Sequence, residues 1–323
     1  MTELEQAIAE GRRDTRYPPI FVVGCPRSGT TMLANLLDRT PWGWPFETHF
    51  VVKYFRRLAN YEPLTERANL VRLARAILAE RVGTQWEMDL GRPIDVDQLV
   101  DTLAEPTYAC LVDALCRRSP DRTAPESWGD KTPQYVLDLD VVTTLFPDSK
   151  IILMVRDGRD VALSLLGRDW GPRNVAACAR YWQACHAPDP LVAQLAAKAQ
   201  LLELRYEGML HSPREELGRV LDFLGLTARR EEVLASVDIV DSRNFDKWRQ
   251  HMSPKQLRIF EAIAGATLAR LGYERVCESP RFGVMESLLY RVHERCSFAW
   301  YLFRINVIDT VLIKFFGKQP FVD

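Results

Sequence analysis

Short apolar runs and runs with helical spacing alternate along the chain. Residues 19–23 (PIFVV) and 150–155 (KIILMV) are almost entirely apolar, which is typical of strands buried on both faces of a parallel sheet. A polar loop follows each run, and then an amphipathic segment, residues 30–39 in the first case and 161–166 in the second. Strands that alternate with helices predict an α/β fold with a mainly parallel central sheet flanked by helices.

The rest of the chain extends this pattern. Residues 200–205 (QLLELR) are another candidate strand, and residues 213–224 carry leucine and valine on one face of a candidate helix. Residues 50–116 have the spacing of several helices, with a break near 91–93, where Gly, Arg and Pro adjoin. We expect residues 45–49, as a second strand or its loop, to reach the same edge of the sheet as the loop after the first strand.

A single domain is expected, because the sequence contains neither an internal repeat nor a linker. We predict a polar leader over residues 1–17, the domain over 18–283 and a helical, aromatic segment over 284–323. Charged and polar residues interrupt the apolar stretch 298–316, so this stretch does not fit a membrane-spanning helix. The apolar residues of the C-terminal segment are interpreted as core or dimer-interface positions, with an acceptor lid or a peripheral membrane contact as the alternatives.

Composition and charge narrow the class of protein. The 323 residues are 47% hydrophobic and 26% charged, which is typical of a globular chain, and 42 basic residues nearly balance 43 acidic ones. No overall field therefore favours nucleic acid, and any anion site must be local. Seven cysteines without a C-x-x-C pair support neither a zinc site nor a disulfide framework. The polar N-terminus is unlike a signal peptide, so we expect a cytoplasmic protein.

The loop after the first strand is a candidate anion site. Residues 24–31 read GCPRSGTT and precede a predicted helix, so backbone N–H groups and the helix N-terminus are available to an anion. The loop matches the nucleotide P-loop pattern G-x-x-x-x-G-K-[ST] except at Thr30, which replaces the lysine that neutralises β- and γ-phosphates. The alternative is an ordinary turn with an exposed arginine. We expect ligand contacts from Cys25, Pro26, Arg27, Ser28, Gly29, Thr30 and Thr31.

Two segments resemble motifs of the sulfotransferases that use 3′-phosphoadenosine 5′-phosphosulfate (PAPS). Residues 19–38 are similar to their 5′-phosphosulfate loop, and residues 155–166 (VRDGRDVALSLL) are similar to their 3′-phosphate motif. In that motif a strand-end arginine and a serine eight residues later bind the 3′-phosphate, and the matching residues here are Arg156 and Ser164. The resemblance covers about residues 18–250. It implies PAPS as donor, 3′-phosphoadenosine 5′-phosphate (PAP) as product and no metal.

Sulfuryl transfer needs a base that removes the proton of the acceptor and cations that stabilise the leaving phosphate. The motif pattern is closest to the tyrosylprotein-type and bacterial sulfotransferases, in which a glutamate after the loop is the base. Glu47 matches that glutamate, and His49 is the rival, because the cytosolic small-molecule branch uses a histidine. An alternative role for Glu47 is to orient Arg27 through an ion pair. Arg27 is itself also a catalytic candidate.

Other segments with family resemblance add candidates. Lys131, in the sequence WGDKTP, matches a lysine near the bridging oxygen, and we interpret residues 128–133 as a polar island between helical segments. Tyr206 matches a tyrosine near the nucleotide, while Lys247 and Trp248 match a late segment that closes over the cofactor.

Ordinary structural roles are the alternatives to these assignments. Arg156 could form a surface ion pair with Asp157 or Asp160. Lys131 could be a solvated loop lysine, and Tyr206 could be a structural hydroxyl at a strand end.

The sequence therefore predicts an enzyme that moves a sulfuryl group in line from PAPS to a hydroxyl acceptor, with Glu47 as base. A sugar, a lipid, a polyketide, a phenol or a peptidyl tyrosine would each fit as acceptor, and a monomer or a homodimer as the assembly. One alternative is a P-loop kinase or NTPase, in which Thr31 would bind Mg²⁺ and Asp157 would be the metal carboxylate. Another is a catalytically silent nucleotide-binding regulatory protein.

Overall fold

A computed structural model of the protein describes residues 17–43, 45–90, 93–117, 127–168, 170–226, 230–239 and 244–304. Most of the predicted leader, residues 91 and 92 of the predicted helix break, and the end of the C-terminal segment beyond residue 304 lie outside these ranges. The described residues form two compact units. The first unit comprises residues up to 155 together with 188–243, and the second comprises 156–187 together with the residues from 244 onward.

A four-stranded parallel sheet forms the centre of the first unit. Its strands are β1 (Ile20–Gly24), β2 (Gly129–Asp130), β3 (Lys150–Val155) and β4 (Leu201–Arg205). They lie in the order β2-β1-β3-β4, and each neighbouring pair is parallel. All of β1 is buried, as is all of β3 after Lys150, which agrees with their continuous apolar sequences. The predicted α/β class with a parallel central sheet is confirmed.

Helices make up much of the remaining described chain. In chain order the α-helices are α1 (Thr30–Leu37), α2 (Phe50–Phe55), α3 (Arg67–Leu78), α4 (Arg81–Leu90), α5 (Val96–Asp101), α6 (Tyr108–Cys116), α7 (Leu139–Leu145), α8 (Gly158–Leu166), α9 (Val175–Cys185), α10 (Pro190–Ala197), α11 (Tyr206–His211), α12 (Pro213–Phe223), α13 (Arg230–Leu234), α14 (Trp248–His251), α15 (Pro254–Arg270) and α16 (Val284–Phe303). Within the described ranges, no helix has the length and apolar character needed to cross a membrane.

The observed elements agree with most of the predicted ones. β1, β3 and β4 lie at the three predicted strands, and α2 to α6 occupy the stretch in which several helices were expected. Residues 128–133 lie between helical elements as interpreted, but the sequence did not predict that Gly129 and Asp130 form β2, which pairs with Ile20 and Phe21. Two residues are too few to give an apolar pattern. In the segment 45–49, Phe46 makes an isolated parallel bridge to Asp130.

A glycine at the end of β1 allows this strand to pair with β3 as far as the start of the loop. Gly24 has a φ of +150°, and a Cβ at this position would lie 2.4 Å from the carbonyl oxygen of Met154 in β3. A larger residue would push the two strands apart at the point where the chain enters the loop. The loop therefore begins with a glycine because the backbones of β1 and β3 lie too close together here for a side chain.

The core of the second unit is built around Trp182 of α9. This indole is fully buried, and its ring centre lies 4.7 Å from that of His186 and 5.9 Å from that of Phe260 in α15. α8 passes close by, since a Cβ on Gly158 would lie 2.4 Å from the Trp182 ring. The indole Nε1 donates a hydrogen bond to the carbonyl oxygen of Arg156 over 3.1 Å. This hydrogen bond holds the backbone of Arg156, a predicted phosphate ligand, against the core of the unit.

Candidate active site

The loop between β1 and α1 turns tightly on itself. The N–H of Ser28 donates to the carbonyl oxygen of Cys25 over 3.1 Å, and the backbone has positive φ at Arg27 (74°) and at Gly29 (94°). Positive φ is uncommon for a residue other than glycine, so the conformation at Arg27 is strained. Strain of this kind is often stored at functional sites.

Two features of the loop suit an anion. The side chain of Ser28 is fully buried, and its hydroxyl has no hydrogen-bond partner among the residues that the structure describes. α1 begins at Thr30, and its N-cap residue Gly29 has no side chain that could accept from the first N–H groups of the helix. A buried donor and an uncapped helix N-terminus at one loop form the type of site that binds phosphate or sulfate groups.

Tyr206 packs directly against this loop. It is the first residue of α11, immediately after β4, and its ring is buried. A Cβ on Gly29 would lie 2.3 Å from the Tyr206 ring, so the ring occupies the space next to the glycine. The structure thus brings Tyr206 to the loop, and Gly29 is needed for space as well as for its positive φ.

Four of the predicted site residues meet beside the loop. The ammonium group of Lys131 donates to Glu47 Oε1 and, over 3.3 Å, to the hydroxyl of Thr31. The other oxygen of Glu47, Oε2, lies 2.8 Å from His49 Nε2. The side chain of Lys131 is 5% exposed, whereas those of Glu47 and His49 are 40% and 56% exposed. Lys131 is therefore not a solvated loop lysine, and the carboxylate that it contacts faces solvent.

The cluster keeps Glu47 ionised. Burial alone would raise the pKa of Glu47, but hydrogen bonds from His49 and Lys131 outweigh burial and lower the pKa from 4.5 to about 2. A carboxylate held this way is a weak base. Loss of the hydrogen bond from either His49 or Lys131 would raise this pKa and make the carboxylate a stronger base.

The second unit contains the predicted 3′-phosphate residues. The guanidinium of Arg156 is buried, and its Nη2 donates to the carbonyl oxygen of Asn244 over 3.1 Å and lies 3.7 Å from Asp160 Oδ2. Ser164 lies half-buried in α8. The first turn of α8 is capped by Asp157, whose Oδ1 accepts from the N–H of Arg159 over 2.9 Å. Arg156 thus does form an ion pair with Asp160, but the pair is buried and does not lie at the surface.

Arg159 and Trp248 form a buried stack in the same unit. The Arg159 guanidinium binds Asp157 Oδ2 at 2.7 Å and Glu261 Oε1 at 2.9 Å, and its centre lies 3.6 Å from the ring centre of Trp248. The backbone N–H of Trp248 donates to Asp160 Oδ1 over 2.9 Å. These contacts give Arg159 a structural role. Lys247, which precedes Trp248 in the sequence, has an exposed side chain.

A comparison with known families decides the class of protein. A model described as the sulfotransferase family matches residues 18–230, which is more than half of the chain. The chain belongs to the sulfotransferase family. The matched segment contains the loop of residues 24–31, Glu47, Lys131, Arg156 and Ser164.

Known members with similar sequences come from bacteria and animals. Nodulation protein NoeE of Sinorhizobium fredii is 26% identical, over 83% of this chain and 70% of that protein. Protein-tyrosine sulfotransferase 2 of Gallus gallus is 23% identical, over 87% of this chain and 76% of that protein. Among solved structures, the sulfotransferase domain of the Synechococcus PCC 7002 olefin synthase is 23% identical with a TM-score of 0.49, and covers 78% of this chain and 97% of that domain.

Sequence analysis missed a buried network that supports the site of this sulfotransferase. Asp130 is fully buried, accepts from the N–H of Thr132 over 2.7 Å, and accepts the hydroxyl of Thr48 on its other oxygen. The N–H of Thr48 in turn donates to Thr132 Oγ1 over 3.2 Å. Burial raises the pKa of Asp130 to about 6 in spite of these hydrogen bonds. The network ties the neighbours of Glu47 to those of Lys131.

Proposed function

We propose that this protein transfers a sulfuryl group from PAPS to a hydroxyl acceptor, with Glu47 as the base. The observation that carries the proposal is the contact of Lys131 with both Glu47 and the loop residue Thr31. This contact joins a candidate base to a candidate anion site through one buried cation. PAPS supplies the activated sulfuryl group, and PAP is the leaving product.

The loop residues 25–31 fit the 5′-phosphosulfate end of the donor. The buried Ser28 hydroxyl is a donor for an anionic oxygen, and the uncapped start of α1 adds backbone N–H groups. Arg27, whose side chain is exposed in this loop, supplies a positive charge. In the proposal Arg156 and Ser164 bind the 3′-phosphate, because a guanidinium presents two parallel donors to phosphate oxygens. Tyr206, Lys247 and Trp248 are proposed as further contacts of the nucleotide.

The proton of the acceptor goes to Glu47 in this mechanism. As the acceptor oxygen bonds to sulfur, the bond from sulfur to the bridging phosphate oxygen breaks, and Lys131 stabilises the negative charge on that oxygen. When Lys131 turns towards the donor, Glu47 loses one of the hydrogen bonds that lower its pKa, and it becomes a better base. His49 is the second candidate for the base, since it lies at hydrogen-bond distance from the same carboxylate.

A P-loop kinase or NTPase is the less favoured function. In such proteins the hydroxyl at the position of Thr31 binds Mg²⁺. Here that hydroxyl accepts a hydrogen bond from the buried ammonium of Lys131, and a positive charge at this distance opposes the binding of a divalent cation. A catalytically silent regulatory protein is also disfavoured, because a candidate base and a buried cation lie in contact beside the loop.

The proposal is tested by measuring PAP formation from PAPS with a panel of phenols, sugars, lipid alcohols and tyrosine peptides. We expect the wild-type protein to form PAP with at least one acceptor, and Arg27→Ala and Lys131→Ala to lower the rate by about 10²-fold or more. Lys255→Ala is a matched control, because Lys255 is an exposed lysine of α15. Near-normal rates for Arg27→Ala and Lys131→Ala would contradict the proposal.

A further inference from the structure

Helix α16 presents an unusual pair of faces. The face towards the rest of the second unit makes polar contacts: Arg180 Nη2 donates to Ser287 Oγ over 3.0 Å, and Asn174 Nδ2 donates to the carbonyl oxygen of Tyr290 over 3.1 Å. No residue of this helix is buried. In a helix that belongs to a globular core, the apolar face is the one turned inward. In α16 the inward face is polar.

The opposite face of α16 is apolar and open to solvent. Met285, Leu289 and Val292 follow one another at helical spacing along this face, Phe303 lies on the same face further along the helix, and Trp300 lies beside it. Their exposed fractions are 71%, 63%, 51%, 49% and 62%, respectively. Further exposed apolar residues of the helix are Val284, Leu288, Phe298 and Leu302. An exposed apolar face of this length marks a site of interaction with another protein or with a membrane.

The charges of α16 are sorted between the two faces. Both acidic residues turn towards the unit: Glu286 forms an ion pair with Arg258 at 2.8 Å, and Glu294 accepts from the N–H of Arg173 over 3.0 Å. The basic residues of the helix, Arg291 and Arg295, are exposed. The outward surface of the helix is therefore apolar and positively charged, although the whole chain has a net charge of −1.

A cleft next to the apolar face adds further positive charge. It has a volume of about 510 Å³, and its lining includes Arg173, His293, Trp300, Tyr301 and Arg304. The guanidinium centres of Arg173 and Arg304 lie 4.9 Å and 5.9 Å from the ring centre of Tyr301. Guanidinium groups beside aromatic rings suit a phosphate group that is attached to an apolar chain.

We propose that α16 docks this protein on a membrane surface that contains anionic phospholipids. The apolar face lies among the acyl chains, Arg291 and Arg295 lie at the level of the phosphates, and the cleft beside Trp300 receives a headgroup. A helix with an apolar face and arginines on its flanks binds such a surface without crossing it. A second copy of the chain fits less well, because two copies paired through this face would bring like-charged arginines together.

Vesicle flotation with the full chain tests this proposal. We expect the wild-type protein to float with phosphatidylcholine vesicles that contain about 30% phosphatidylglycerol, and to bind phosphatidylcholine alone at least about tenfold less. Leu289→Glu and the double variant Arg291→Glu/Arg295→Glu should each lower the binding about tenfold. Met88→Glu is the matched control, because Met88 is an exposed apolar residue of α4, and it should bind as the wild type does.

A second readout locates the helix. Cys296 is exposed on α16, and a polarity-sensitive fluorophore on this thiol should shift its emission to shorter wavelength when anionic vesicles are added. The proposal is overturned if the wild-type protein stays in the aqueous phase, or if it floats and Leu289→Glu floats equally well. It is also overturned if sedimentation velocity finds a dimer that Leu289→Glu dissociates and vesicles leave the fluorophore unchanged.

Discussion

The carboxylate of Glu47 is the residue on which the proposed chemistry depends. Glu47→Gln keeps the size of the side chain and can still accept a hydrogen bond from Lys131, but it cannot take up the acceptor proton. We expect kcat to fall about 10²- to 10⁴-fold, with little change in the affinity for PAP. Steady-state kinetics and calorimetry measure the two quantities. His49→Asn is the matched comparison, and a larger loss for His49→Asn than for Glu47→Gln would make His49 the base.

The buried carboxyl of Asp130 predicts a pH dependence of stability. Its pKa in the folded protein, about 6, lies above the ordinary value of 3.8, so the folded state holds a proton that the unfolded state has released. The contribution of this group to stability is therefore full below about pH 4 and is lost as the pH rises through 6, by about 3 kcal/mol at most.

Asp130→Asn removes this titration while it keeps the size of the side chain. We measure the free energy of unfolding with urea. As the pH rises from 4 to 7, we expect the value for the variant to increase relative to that for the wild type. Asp140→Asn, at an exposed position of α7, is the control. Equal pH slopes for Asp130→Asn and wild type would contradict the assignment. The Glu47 ion pair acts at lower pH, where its stabilisation is lost between about 4.5 and 2.

At the residue scale, motif position was more informative than residue type. Glu47 and Lys131 could be named from their places after the loop and in the K-T-P segment, and the structure brings them together. Asp130 could not be found in this way, because its sequence neighbours do not reveal that it is buried. The burial comes from β2, which pairs with a strand that is distant in sequence.

At the element scale, the junction between β1, the loop and α1 depends on two properties of Gly29. Its φ is +94°, and a Cβ there would lie 2.3 Å from the Tyr206 ring. We expect Gly29→Ala to lower the melting temperature and to weaken PAP binding strongly, because both the backbone and the ring must move.

Gly225 separates the two effects in Gly29→Ala. Gly225 also has a positive φ, +70°, but a Cβ there would meet nothing within 4 Å. Gly225→Ala should therefore cost only the backbone strain, about 1 kcal/mol. Gly29→Ala should cost more, and Tyr206→Ala in the same protein should restore part of the loss. Equal losses of stability for Gly29→Ala and Gly225→Ala would show that the contact with Tyr206 does not matter.

The elements that could be predicted are those whose own sequence specifies them. β1 and β3 are continuous apolar runs because both faces of each strand are buried. β2 has only two residues and forms because Ile20 and Phe21 offer a free edge. In α16 the sequence predicted a helix with apolar residues, but not that these residues face solvent. Which face is covered depends on the contacts of Ser287, Tyr290 and Glu294.

At the scale of the whole molecule, a chain with a net charge of −1 binds anions only where its cations are concentrated. In the proposal one such place is the loop with Arg27 and Lys131, and another is the motif with Arg156. The proposal therefore requires a donor with one anionic group for each of these places. PAPS and PAP meet this requirement, because they have a 3′-phosphate as well as the 5′ group, whereas 5′-AMP does not.

The most direct test is calorimetric titration of the protein with PAP, with 5′-AMP and with Mg-ATP. We expect PAP to bind at least about 100-fold more tightly than 5′-AMP, and Arg156→Ala to remove most of this difference without a change in 5′-AMP binding. Equal affinities for PAP and 5′-AMP, or tight binding of Mg-ATP alone, would contradict the account and favour a kinase or NTPase.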